Sequence, residues 1–115
     1  ARESGGSIQV SHDIASAYAG AEVVYAKSWG ALPYFGNWEA EKPVRECYRH
    51  FIVDEAKMAL TDNGVFSHCL PLRRNVKATD AVMDSPNCIA IAEAGNRLHV
   101  QKAIMDTLIN HPEIS

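Results

Sequence analysis

A chain of 115 residues, 47% hydrophobic and 22% charged, suits one soluble globular domain with a core of its own. Its formal charge of −3 argues against a nucleic-acid surface, because phosphate binding needs an accumulated positive field and the basic residues here are only locally dense. No apolar run approaches the roughly 20 residues of a bilayer span, and the opening Ala1-Arg2-Glu3-Ser4-Gly5-Gly6 is not a signal peptide, so a cytoplasmic setting is expected.

In chain order, residues 1–7 read as a helix end running into a Gly-Gly stop, which implies earlier structure. Ile8 to Val10 reads as a short strand, His12 or Asp13 to Ala19 as a helix, and Glu22 to Ala26 as a strong strand rich in Val and Tyr. A long loop, Lys27 to Lys42, carries both tryptophans, Gly30, Gly36 and Pro33. Pro43 suits the first position of a helix holding Val44, Cys47 and Tyr48, and Asp54 suits the cap of a helix through Leu60 that ends at Asn63-Gly64. Val65 to His68 is the next strand, Thr79 to Met83 a short helix, Cys88 to Ile91 a buried strand, and Glu93 to Asn110 the final helix. There Leu98, Ile104, Met105, Leu108 and Ile109 recur at helical spacing and predict a face packed on a sheet. Alternating strands and helices give an α/β class with a parallel sheet and right-handed crossovers.

Phe66 to Lys77, Phe-Ser-His-Cys-Leu-Pro-Leu-Arg-Arg-Asn-Val-Lys, joins a buried strand to a loop with three cations in five positions. A basic cluster is ordinarily a solvated turn. Position argues otherwise, because Lys27, the stretch His68 to Leu70, and the stretch Glu93 to Arg97 each follow a strand, and ligands of open parallel sheets bind beyond the carboxyl ends of the strands. Neither a Gly-x-Gly-x-x-Gly fingerprint nor a phosphate loop is present, which counts against a dinucleotide module. The cysteines, Cys47, Cys69 and Cys88, suggest neither a disulfide framework nor a zinc site. Cys69 and His68 are adjacent on an extended segment and point to opposite faces, so they cannot form a nucleophile and base directly. His12, His50, His99 and His111 lack partners at ligand spacing, and Trp29, Tyr34, Phe35 and Trp38 read equally as loop packing or pocket closure.

His68-Cys69-Leu70-Pro71, followed by Glu93-Ala94-Gly95-Asn96-Arg97-Leu98-His99, resembles the pair of signatures that ends the aspartate and ornithine transcarbamylases. Tyr25-Ala26-Lys27-Ser28-Trp29-Gly30 and Leu72-Arg73-Arg74-Asn75-Val76-Lys77 are similar to the N-acetylornithine branch. The likeness runs from about Ser4 to Leu108. It implies a partial three-layer, doubly wound, Rossmann-like parallel sheet. In its terms, residues 1–115 are the carboxyl-terminal part of an acetylornithine-binding domain, and the amino-terminal carbamoyl-phosphate domain, with its Ser, Thr and Arg phosphate motif and its His-Pro segment, is absent.

The implied reaction moves a carbamoyl group from carbamoyl phosphate to the side-chain amine of N-acetylornithine, giving N-acetylcitrulline and phosphate for arginine synthesis, with no cofactor. The implied assembly is a trimer whose sites adjoin a neighbouring subunit, so this part alone should be inactive. By the same resemblance, the backbone at Cys69 and Leu70 faces the carbamoyl group and the amine, with a cis Leu70–Pro71 bond aiming the Leu70 carbonyl outward, and Arg97, one turn into its helix, meets the carbamoyl group. His68 is a positioning residue, Lys27 and Arg73 bind the acetylornithine end, and Lys77 is a lysine open to N-carboxylation, its amine depressed by Arg73 and Arg74 and its carbamate paired with them. Gly95 departs from the family's glutamate and removes an acidic group near Arg97. The alternatives are a succinylornithine or ornithine transcarbamylase, a degenerate interaction domain without activity, and a nucleotide-binding module.

Overall fold

β-Branched and aromatic residues make the two strands that organise the chain, β1 (Val23–Ala26) and β2 (Val65–His68), in a computed structural model that describes residues 2–111 and residue 113. They pair in parallel, with Val23 opposite Val65, Val24 opposite Phe66, Tyr25 opposite Ser67 and Ala26 opposite His68. Side chains alternate across the strands. Phe66 therefore enters the core with Val53, Ala78 and Val82, and Val24 and Ala26 pack against that core from β1. The expected α/β class with a parallel sheet is present, with two strands among the described residues.

Short helices begin where a polar side chain can cap them. The α1 helix (Ile14–Tyr18) starts at Asp13, whose Oδ1 accepts the Ala15 N–H at 3.1 Å. The α2 helix (Trp38–Cys47) starts at Asn37, and α3 (Glu55–Met58) at Asp54, whose Oδ1 accepts the Lys57 N–H at 2.9 Å. The Thr79 hydroxyl likewise accepts the Val82 N–H of α4 (Asp80–Met83) at 3.2 Å. The α5 helix (Ala90–Asn110) is the longest element, and none of the helices described is long and apolar enough to cross a membrane. Between α3 and β2, Gly64 lets two backbones approach: a Cβ there would lie 2.7 Å from the Ala21 carbonyl oxygen.

Five expectations need correction. Ile8 to Val10 is not a strand; both ends are 83% exposed with no pairing partner among the described residues, and an isolated strand cannot satisfy its backbone or bury a face. Residues 38–42 are helical rather than loop, and Pro43 lies inside α2 instead of starting it. Asn37 supplies the cap by accepting the Ala40 N–H at 3.2 Å, and Glu39 and Glu41 oppose the positive end of the helix dipole, so the start falls five residues earlier. Cys88 to Ile91 forms only a single parallel bridge, Cys88 to Phe66, before α5 begins at Ala90. Arg97 consequently stands two turns into α5, not one.

The fifth correction is the apolar face of α5, whose Leu98, Ile104, Met105, Leu108 and Ile109 are all more than half exposed. Its length explains this. A helix of 21 residues is about 31 Å long, whereas a four-residue strand spans about 13 Å, so the sheet meets α5 only near its start, where Ala90 is buried. The expected helix end over 1–7 includes Ala1, which lies outside the described residues; within them, Arg2–Ser4 forms a single 3-10 turn before Gly5 at φ 76°.

Candidate functional site

The parallel register ends at Ala26 opposite His68, and the next residue on each strand exit is Lys27 and Cys69. Their side chains meet: Lys27 Nζ donates to Cys69 Sγ at 3.1 Å. The hydrogen bond and charge of Lys27 hold the Cys69 thiol below its usual range, against desolvation and the Glu93 carboxylate, and Cys69 in turn raises Lys27. One register step back, Tyr25 Oη donates to Glu93 Oε1 at 3.1 Å, and the Ser67 hydroxyl donates to Glu93 Oε2. His68 points the other way and is 1% exposed, its Nδ1–H bonded to the Cys69 carbonyl and its Nε2 buried without a hydrogen-bond partner among the described residues. That contact engages the Cys69 backbone. The Leu70–Pro71 peptide is cis, and among the described residues the Leu70 carbonyl accepts no hydrogen bond.

A second cluster gathers in the loops beyond the strands. Lys77 is 4% exposed; its ammonium donates to the Trp29 carbonyl at 2.8 Å and stands 3.6 Å from the centroid of the Trp29 ring. Burial pushes the Lys77 amine down, Arg73 and Arg45 push it further, and Glu41 partly opposes them. Arg73 lies over the Trp38 ring at 5.0 Å and Arg45 approaches it at 6.0 Å, while Arg45 pairs with Glu41 at 3.2 Å. Trp29, Trp38, Arg73 and Lys77 line one open cavity of about 840 Å³, with Leu32 and Phe35 on its rim of apolar surface. An anionic group entering there meets cations, and an apolar group meets rings.

The structure thus joins Lys27 with Cys69, and Lys77 with Arg73, around the exits of β1 and β2. Arg74 does not belong with them. Its guanidinium grips Asp80 at 2.9 Å and Asp84 at 2.6 Å, contacts that raise it further above its usual range, and the second cation acting on Lys77 is Arg45. The expectation that Arg73 and Arg74 together depress the Lys77 amine is therefore corrected to Arg73 and Arg45. Arg45 escaped sequence reasoning because its helix was started too late; once α2 begins at Trp38, Glu41 and Arg45 fall four residues apart on one face. Arg97 is exposed on α5, and its side chain forms no hydrogen bond or ion pair with the site among the described residues. Glu93 and Tyr25, read only as parts of motifs, turn out to bridge the two strands to α5. The glycine at 95 is not required by packing, since a Cβ there meets nothing within 4 Å.

Residues 1–108 match the family model described as the Asp/Orn binding domain of aspartate/ornithine carbamoyltransferase. The N-acetylornithine carbamoyltransferase of Xanthomonas campestris pv. campestris is 85% identical over 107 residues, covering 93% of this chain and 32% of that protein. An N-succinylornithine carbamoyltransferase of Bacteroides fragilis is 41% identical over 92 residues, covering 80% of this chain and 28% of its own length. A crystal structure of acetylornithine transcarbamylase complexed with acetylcitrulline superposes with a TM-score of 0.80 at 86% identity, over 90% of this chain and 31% of that one. The chain spans about a third of the length of these relatives.

Proposed function

This chain belongs to the aspartate/ornithine carbamoyltransferase family, and on that premise we propose that it supplies the acetylornithine side of an N-acetylornithine carbamoyltransferase, which transfers the carbamoyl group of carbamoyl phosphate to the side-chain amine of N-acetylornithine. The observation that carries this reading is the gathering of Lys27, Cys69, Arg73 and Lys77 around the exits of two parallel strands, beside a cavity that offers both cations and aromatic rings. The 85% identity to the Xanthomonas campestris relative, against 41% for the succinylornithine enzyme, supports the acetyl branch.

The chemistry follows from what the transfer requires. The attacking amine must be neutral, and an unsatisfied carbonyl such as that of Leu70 accepts its N–H while the lone pair faces the carbamoyl carbon. Negative charge grows on the carbamoyl oxygen in the transition state, where fixed donors lower the barrier, and Arg97 supplies a planar fork for it. As the N–C bond forms the C–O bond breaks, and phosphate leaves with the bonding pair and takes up the proton that the amine loses. Lys27 and Arg73 neutralise the carboxylate of the amino acid, and His68 fixes the Cys69 backbone from the buried side.

The depressed Lys77 amine is suited to addition of carbon dioxide, which forms an N–C bond and releases one proton, and the resulting carbamate would face Arg73 and Arg45. A labile adduct at Lys77 seen by mass spectrometry under carbon dioxide, and lost under argon, tests this; an unmodified Lys77 in both refutes it. The full reading includes a cytoplasmic homotrimer whose sites adjoin the neighbouring subunit and the carbamoyl-phosphate domain.

The decisive experiment assembles this chain with the remainder of the Xanthomonas campestris relative and measures ureido product from carbamoyl phosphate with N-acetylornithine, N-succinylornithine or ornithine. Product with N-acetylornithine alone is expected. Product with another amine instead moves the chain to that branch, and none with any amine in a folded assembly refutes the reading.

A further inference from the structure

We propose that Glu93 is a positioning residue for this site, a proposal that rests on the function argued above: its carboxylate clamps β1 and β2 to the first turn of α5, and so sets the separation between the Lys27–Cys69 pair and Arg97. Both clamps come from the strand face that carries the pair. Tyr25 and Lys27 are two residues apart on β1 and its exit, and Ser67 and Cys69 two apart on β2, so each couple shares a side of the sheet. Glu93 takes one oxygen to Tyr25, at 3.1 Å, and the other to Ser67, which is itself buried. On α5, Arg97 follows Glu93 by four residues, one turn and about 6 Å along the same side of the helix.

The backbone ties α5 to β2 at one point just before its first turn, where the Ile89 N–H donates to the Phe66 carbonyl at 2.9 Å. Ala90 is the one α5 residue buried among those described, and no side chain caps the helix at Ile89. Within the helix itself the two hydrogen bonds to Glu93 are the side-chain links to the strands, and a helix free to swing about the Ile89 contact would carry Arg97 with it. Glu93 also belongs to the electrostatics of the pair. Cys69 is faced by the Lys27 ammonium, the Tyr25 hydroxyl and the Glu93 carboxylate, of which the carboxylate alone opposes the thiolate.

The test uses the enzyme assembled from this chain and the remainder of the Xanthomonas campestris relative. Glu93→Ala should lower kcat by about tenfold or more with KM for carbamoyl phosphate held within about threefold, because alignment is lost rather than ground-state binding. Glu93→Gln keeps an acceptor oxygen and should recover most of that loss. Alkylation of Cys69 by iodoacetamide, followed by peptide mass spectrometry, requires no turnover. With the carboxylate charge gone, Glu93→Gln should move the alkylation midpoint to lower pH, a shift that a merely structural brace would not produce. Unchanged kcat in Glu93→Ala, or an unmoved Cys69 midpoint in Glu93→Gln, overturns the proposal. Should Glu93→Ala fail to fold, Glu93→Asp takes its place: its carboxylate is one methylene too short to reach both hydroxyls, so kcat should fall, and an unchanged kcat overturns the proposal. A parent assembly without turnover defeats the proposed function, while the alkylation comparison still decides whether Glu93 acts on Cys69.

Discussion

Replacing Gly64 with alanine tests how tightly the strand exits are set by their entrances. A Cβ at this position would stand 2.7 Å from the Ala21 carbonyl oxygen and 3.1 Å from the Thr61 side chain, well inside the 3.4 Å at which ordinary contact begins. The nearer obstacle is backbone, so relief requires the lead-in to β1 to move. Overpacking of this kind costs about 1–3 kcal/mol, and the stiffer unfolded chain returns about 0.4–1 kcal/mol. The net is a loss of about 1–2 kcal/mol, or about 4 to 10 °C in Tm for a domain of this size. The Ala21 carbonyl accepts the Asp62 N–H at 3.0 Å and the Glu22 carbonyl accepts the Val65 N–H at 2.9 Å. Both amides should exchange faster in Gly64→Ala, measured by hydrogen exchange alongside a thermal melt followed by circular dichroism. A variant that melts with the parent or above it, with both amides equally protected, would show that the close approach is slack and refute the argument.

Further outcomes are expected elsewhere in the site. Gly95→Glu should stabilise the protein by about 0.5–1 kcal/mol, since the glycine occupies open space inside a helix and glutamate is the better helix former; a loss of stability in a urea titration would show that another surface approaches this position. Lys27→Met removes the ammonium that holds the Cys69 thiol down, so alkylation of Cys69 at neutral pH should slow, and an unchanged rate would deny the contact any electrostatic role. For Lys77 the folded amine titrates below the unfolded one, so between those two points the unfolded state holds more protons and stability rises with pH. Urea midpoints taken from neutral pH to about 10 should climb more steeply in the parent than in Lys77→Met, and equal slopes would refute the burial penalty.

Local signals carried the elements whose boundaries depend on nearby side chains. Asp13, Asp54 and Thr79 cap helices where they stand because each competes for amides within three residues, and Val65 to His68 forms a strand flanked by Gly64 and Pro71. The site residues Lys27 and Cys69 were legible as strand exits, since a parallel sheet gathers its ligand-binding groups at one edge. The resemblance to the carbamoyltransferases likewise rested on short runs of adjacent residues, and the family match over residues 1–108 agrees with it.

What the tertiary structure decided depends on partners far apart in the chain. Ile8 to Val10 has strand composition but no edge to pair with among the described residues, and Leu98 to Ile109 has helical periodicity on a helix that outruns its sheet. The roles of neighbouring arginines were decided in the same way: Arg73 faces Trp38 and Lys77, while Arg74 is drawn to Asp80 and Asp84. Arg45 and Glu93 join the site only because packing brings α2 and α5 to the strand exits. Sequence by itself determined where backbone hydrogen bonds and caps would be satisfied locally, because those interactions span a few residues. Only the folded chain decided which charges would be buried together, because desolvation and Coulomb attraction act through space and take no account of separation along the chain.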